Sequence, residues 1–277
     1  AVKENYDLKS ALEKIEEARS FYRIKKADLF PEVDINAKAY RTGLSQNLIQ
    51  NQFFPEETFN VFEGGFDALW EIDLFGKLRR EKEASFYEYQ SIQENFNDIF
   101  VMVISDVARY YFDIAALQQI ISLTNEKVAL QKQIVKLEES KLASGISSEI
   151  PYNLFSERLK IEEENLIAYQ RLLKETYPKL ALLLGKNPEY LWKKLLKNFT
   201  LPTAVKKITP GLPSTLLRRR PDIRMAERRL AQSTAKIGSA IARYFPSFSL
   251  TGNGTLSSNE MNHFFKGNSF GWMFGSF

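Results

Sequence analysis

The sequence predicts a mainly α-helical fold that also carries four two-faced β-strands, with a long antiparallel helical hairpin set between two copies of a helix–strand unit. Three observations predict it: a stretch from Lys77 to Ser144 without glycine or proline, a repeat at an offset of 215 residues, and runs of alternating polar and apolar residues after Pro31 and Pro246.

The repeat needs no gap. The offset brings Asp7 onto Asp222, Ala11 onto Ala226, Ala27 onto Ala242, Phe30 onto Phe245 and Pro31 onto Pro246. Each copy opens with a helix, about residues 7–28 and 222–243, that must stop before its proline, because the residue preceding proline avoids the α region. The expected organisation is a first repeat over 1–185, a connecting segment over 186–213 with room for a small lateral domain, and an incomplete second repeat over 214–277.

The strands are read from their period of two. In the first repeat they span 33–43 and 59–72, and in the second 247–258 and 269–277. In the second strand Phe62, Phe66, Ala68, Trp70 and Ile72 fall on one face, and Glu63, Asp67, Glu71 and Asp73 on the other. An aromatic face opposite a charged one fits a transmembrane barrel strand with lipid outside and water inside. Glu63, Asp67 and Glu71 are accordingly expected to face a lumen, and Phe66, Ala68 and Trp70 to face lipid. A soluble antiparallel sheet with one wet face has the same periodicity.

The glycine-free stretch is rich in helix formers and about 100 Å long as a single helix, at 1.5 Å per residue. Ile92, Phe96, Ile99, Val103, Val107, Tyr110, Ile114, Leu117 and Ile121 recur at spacings of three and four, which marks a buried seam. Gly145 ends the helix, and Ser147 or Ser148 can cap a returning helix that tolerates Pro151 in its first turn. On that return helix Leu154, Ile161 and Ala168, with Leu159, Leu166 and Leu173 beside them, repeat at seven, the pattern of a coiled-coil partner. It is expected to end by Gly185, with Pro178 bending its last turns. The reversal at Ser144, Gly145, Ile146 and Ser147 is the candidate docking tip.

Composition narrows the chemistry. The 277 residues are 44% hydrophobic and 26% charged with a net charge of +4, enough apolar residues for a sizeable core and too little net field to imply nucleic acid. No cysteine and one histidine, His263, leave neither a thiolate site nor an imidazole with partners, so no catalytic, cofactor or metal site is expected and the chain is read as a non-enzyme. His263 is read as a loop or rim residue. The glycines Gly64-Gly65 and Gly252-x-Gly254 lie inside strand patterns and form no phosphate loop. No apolar run approaches the roughly 20 residues of a membrane-spanning helix, so a membrane would be crossed by strands. The opening AVKENYDLKS lacks the pattern of a secretory signal, which is expected to have been removed or omitted.

The densest basic cluster, Arg218-Arg219-Arg220-Pro221-Asp222-Ile223-Arg224, has no aromatic residues interleaved for base stacking and reads as a helix start with Asp222 as a first-turn acid. With the residues around it, Gly211-Leu212-Pro213-Ser214, Leu217 and Ala226-Glu227-Arg228-Arg229-Leu230, it resembles the outer membrane factor family of tripartite efflux systems, and within it the lipoprotein branch. Trp70-Glu71-Ile72-Asp73-Leu74-Phe75-Gly76-Lys77, Ala181-Leu182-Leu183-Leu184-Gly185, Ala235-Lys236-Ile237-Gly238 and Phe245-Pro246-Ser247-Phe248-Ser249-Leu250-Thr251-Gly252 extend the resemblance over nearly the whole chain.

The resemblance implies a homotrimer in the bacterial outer membrane. Four strands per subunit would contribute to a twelve-stranded barrel above a periplasmic helical tunnel. It further implies a passive exit duct for drugs or other small molecules, driven by an inner-membrane pump and gripped at its hairpin tips by a periplasmic adaptor protein. Four strands from one chain are too few to close a barrel, and open edges cannot face lipid, so the residues independently call for shared closure. A complete member carries a second strand pair and then a second long hairpin, whereas this sequence stops within its fourth strand, so the chain is expected to be truncated at its C-terminal end. A non-conducting truncated member and a soluble helical scaffold are the alternatives.

Overall fold

In the computed structural model, residues 2–43, 58–189 and 217–277 are described. The elements run α1 (Tyr6–Ala27), β1 (Glu32–Gly43), β2 (Thr58–Ile72), α2 (Lys77–Ala143), α3 (Glu149–Leu184), α4 (Pro221–Ala242), β3 (Phe248–Ser258) and β4 (Phe270–Ser276), with short 3-10 turns at Met261–His263 and Gly267–Ser269. The fold is mainly helical with one four-stranded antiparallel sheet, ordered β1-β2-β3-β4. Most of the connecting segment expected over 186–213 lies outside the described residues, as do Gly211 to Ser214 of the sequence signature. Two compact units are formed, one from residues 15–93 and 224–277 and one from residues 1–14 and 94–223.

The first unit holds the sheet and the helix ends attached to it. The prolines after α1 and α4 release the chain into β1 and β3, and a left-handed Gly76 (φ 82°) turns β2 into α2. Asp73 was placed by its parity on the polar face of β2. It instead lies past the strand end at Ile72, where its carboxylate accepts from the backbone N–H groups of Leu78 (3.1 Å) and Arg79 (2.9 Å) and from Arg79 Nε (3.0 Å). A carboxylate at a helix start satisfies donors that have no partner within the helix. Burial pushes the Asp73 carboxyl up, but the Arg79 and Leu78 donors outweigh it and hold it below its ordinary value. Glu81, one turn on, joins three helices: Oε1 accepts from Ser239 (3.2 Å) and Arg243 (3.0 Å) of the α4 end, and Oε2 pairs with Lys25 of α1 (3.5 Å). Gly238 lets α4 approach, since a Cβ there would stand 3.1 Å from Arg80 Cδ.

The second unit is the helical hairpin with the start of α1. Along α2 the inward positions continue at spacings of three and four from Val103 to Leu142, through Ile114, Leu117, Thr124 and Val128. The facing row on α3 contains Leu159, Leu166 and Leu173 and runs to Leu180. Leu154 and Ile161, expected to lead the heptad, are exposed at 45% and 48%, and Ala168 is exposed with them. Ile114, Tyr177 and Leu180 form the buried centre, with Val107, Tyr110, Leu173 and Leu184 packed around them. Antiparallel register is fixed by Gln118 Nε2 to Tyr177 OH (2.8 Å), Lys127 to Glu162 (2.6 Å), Lys132 to Glu163 (2.9 Å) and Gln131 Nε2 to the Phe155 carbonyl (3.1 Å). α3 continues through Pro178 and ends at a left-handed Gly185 (φ 63°), whose N–H bonds the Leu182 carbonyl while that of Lys186 bonds Ala181. Asn5 then caps α1 and reaches back to the Leu183 carbonyl, so α1 starts where α3 stops.

Candidate functional site: a two-faced sheet and a hairpin turn

Strand register sorts every side chain of the sheet to one of two faces, because neighbours directly across share a face. Glu63 stands between Lys38 on β1 and Ser257 on β3; Asp67 between Asp34 and Asn253; Glu71 beside Ser249. The face is hydrogen-bonded along its length: Asn36 donates to Asp67, Tyr40 OH donates to Glu63 Oε1 (3.3 Å), and Lys77 at the α2 start pairs with Glu71 (2.6 Å). The structure thus brings Glu63, Asp67 and Glu71 together on one polar face. Phe59, Val61 and Leu69 on β2 and Met273 on β4 interrupt it.

The opposite face is mainly apolar on all four strands, with Arg41, Thr58 and Asn60 on it at the far ends of β1 and β2. Val33 and Ile35, then Phe66, Ala68 and Trp70, then Leu250 and Leu256, then Phe270, Trp272 and Phe274 share it. Among the described residues it is bare, with Ile35 exposed at 88% and Trp272 at 75%. Trp70 is anchored by its indole N–H on the Leu29 carbonyl (3.1 Å). The strand glycines, read from sequence only as bulges or close approaches, have a second use. The Phe66 ring lies over Gly254, its cross-strand partner, and Phe274 over Gly252, so that the rings cover positions lacking side chains. Gly65 is a close approach in the stricter sense, because a Cβ there would come 2.3 Å from the Gly254 carbonyl oxygen.

At the far end of α2, Gly145 is left-handed (φ 70°), its N–H bonds the Leu142 carbonyl (3.0 Å), and that of Ile146 bonds Lys141 (2.9 Å). This satisfies the last carbonyls of the helix and reverses the chain. Ser148 takes the N-cap position of α3. Ser144, Gly145 and Ile146 are exposed and Ser147 is half-buried; Ile146 and Ile150, each 78% exposed, give the turn an apolar tip, to which Ile150 is an addition beyond the four residues expected from the sequence.

A four-stranded sheet with one charged and one aromatic face, joined to a long helical hairpin, is a fold shared with solved outer-membrane channels. The chain aligns over its full length with the outer-membrane channel OprN at a TM-score of 0.89 and 28% identity, spanning 61% of that chain. The Campylobacter jejuni CmeC outer membrane channel is matched over 99% of this chain and 58% of that one, at a TM-score of 0.87 and 26% identity.

The chain belongs to the outer membrane efflux protein family, whose model matches residues 1–186 and 212–277. Among curated relatives, the solvent efflux pump outer membrane protein SrpC of Pseudomonas putida is 30% identical over 99% of this chain and 57% of its own length. The cation efflux system protein CusC of Escherichia coli (strain K12) is 28% identical over 99% of this chain and 58% of its own length. The chain therefore spans a little over half the length of the relatives it matches. Family and relatives place it at the outer membrane, among channel and efflux proteins. Among the described residues no helix is long and apolar enough to cross a membrane.

Proposed function

We propose that this chain provides one subunit of a trimeric outer-membrane exit duct, a passive channel for drugs or other small molecules within a tripartite efflux or export system. The observation that carries the reading is the sheet, which is aromatic and bare on one face, charged on the other, and open at both edges. Such a face is stable against lipid and would be an aggregation surface in water. Among the described residues β1 and β4 each pair on one side only, and a spanning sheet cannot leave those edges in hydrocarbon. Three copies joined β1 to β4 close a twelve-stranded barrel, with Glu63, Asp67 and Glu71 lining its lumen.

The two copies of the helix–strand unit, 1–185 and 214–277, then contribute equivalent strand pairs to that wall. The turn Ser144-Gly145-Ile146-Ser147 is the docking tip for a periplasmic adaptor protein, with Ile146 and Ile150 as its apolar contact, and an inner-membrane pump supplies the energy. A cysteine scan of β1 against β4 tests the closure. Oxidation should trap a ladder that stops at three subunits, and absence of any β1–β4 crosslink would contradict it.

A further inference from the structure

The connection from β3 to β4 is a folded aromatic finger. Ser258 Oγ donates to the Glu260 carbonyl (2.8 Å), Ser269 Oγ donates to the His263 carbonyl (2.7 Å), and the N–H groups of His263, Phe264, Lys266 and Ser269 each bond the carbonyl three residues back. The finger does not project from the sheet edge. Phe264 is folded onto β2, where a Cβ at Gly64 would stand 3.1 Å from Phe264 Cζ, and Gly64 shares the face of Phe66 and Trp70. Phe265 stacks edge-on against Phe264 at a centroid distance of 5.0 Å and is 79% exposed, with Met261 56% exposed.

We propose that this finger is a membrane anchor: Phe264 clamps it on the apolar face of the sheet, and Phe265 and Met261 enter the acyl-chain boundary of the lipid around the barrel. The inference rests on the reading that the apolar face contacts lipid, and it commits to lipid because Phe264 continues that face. Phe62 and Phe270 stand nearest the finger, and Phe66, Trp272, Phe274 and Trp70 continue the aromatic surface along the same face. Phe62 and Trp70 are eight residues apart, about 26 Å along the strand at 3.3 Å per residue, or about 20 Å of bilayer for a strand tilted by about 40°. Exposed Lys266 beside Phe265 sets a cation at headgroup depth.

The 277 residues contain no cysteine, so spin labels can be placed singly at Phe265→Cys, Ala68→Cys and Asn259→Cys in outer-membrane vesicles of cells expressing the protein. Collision with oxygen, which partitions into lipid, is compared with collision with a water-soluble nickel chelate. The label at 265 should follow the one at 68, with an oxygen-to-chelate ratio several-fold above that at 259. Adding Phe264→Ala should lower the ratio at 265 and leave that at 68 unchanged. A chelate-accessible 265 beside a lipid-exposed 68 would overturn the anchor alone. A label at 265 shielded from both reagents would overturn it in favour of a protein neighbour. A chelate-accessible 68 would overturn the lipid-face reading and the anchor with it.

Discussion

The side-chain amide of Asn5 donates from Nδ2 to the Leu183 carbonyl at 3.0 Å, while its Oδ1 accepts from the backbone N–H of Leu8 at the same distance, so one residue caps α1 and ties it to the last turn of α3. Asn5 is only 1% exposed. Asn5→Ala leaves an N–H and a carbonyl without their partner in a dry site, at a cost of about 1–3 kcal/mol. Thermal unfolding in detergent should show a lower midpoint, and Asn5→Asp, which keeps the cap but sets a carboxylate oxygen against the Leu183 carbonyl, should also fall below the unsubstituted protein. An unchanged midpoint for both variants would show that the junction contributes nothing.

Glu81 makes the helix ends at the sheet sensitive to acid. Burial pushes its carboxyl up, but Arg243, Lys25 and Ser239 outweigh that and hold it below the usual range. A lowered carboxylate contributes stability that is present above the ordinary glutamate value of about 4.3 and is lost as pH falls through its own lower value. Glu81→Gln should therefore be less stable at neutral pH and show a shallower loss below about pH 4.3. Unfolding midpoints across that range check it, and parallel curves would show that Glu81 is not the titrating group.

Gly145 and Gly185 share a left-handed backbone but not their surroundings. A Cβ at Gly145 meets nothing within 4 Å, whereas one at Gly185 would stand 2.2 Å from the Glu4 carbonyl oxygen. Gly145→Ala should cost only the left-handed strain, about 1–2 kcal/mol, and Gly185→Ala measurably more. Gly145→Glu should weaken crosslinking to the adaptor and leave assembly intact. Unchanged crosslinking would remove the turn as a docking site.

Elements with a strict period were legible because the period is itself the physics. The alternation after Pro31 gave the faces that the register of β1 with β2 later fixed, and the absence of glycine and proline marked α2 to within a residue of Ala143. Two adjacent heptads on α3 were harder. Leu154-Ile161-Ala168 and Leu159-Leu166-Leu173 are both apolar rows, and only contact with α2 shows that the second is covered. Asp73 continued the parity of Glu71 and could not announce the turn that makes it a cap. The Asn5–Leu183 bond spans 178 residues, and no local pattern signals it. Exposed Ile150 and the Phe264 clamp on Gly64 were hidden for the same reason, since each is defined by what surrounds it and not by its neighbours in sequence.

The measurement that bears most directly on the duct is the chemical environment of two consecutive positions on β2. Asp67 shares its face with Asn253 and Ala68 shares the other with Gly252. Single cysteines at 67 and 68, in outer-membrane vesicles, would be probed with a membrane-impermeant thiol reagent and a lipid-soluble one. The account predicts that 67 reacts with the first and 68 with the second. Lipid-soluble labelling at 67 with water-soluble labelling at 68 would reverse the wall, and water-soluble labelling of both would show that the sheet is not part of a membrane barrel.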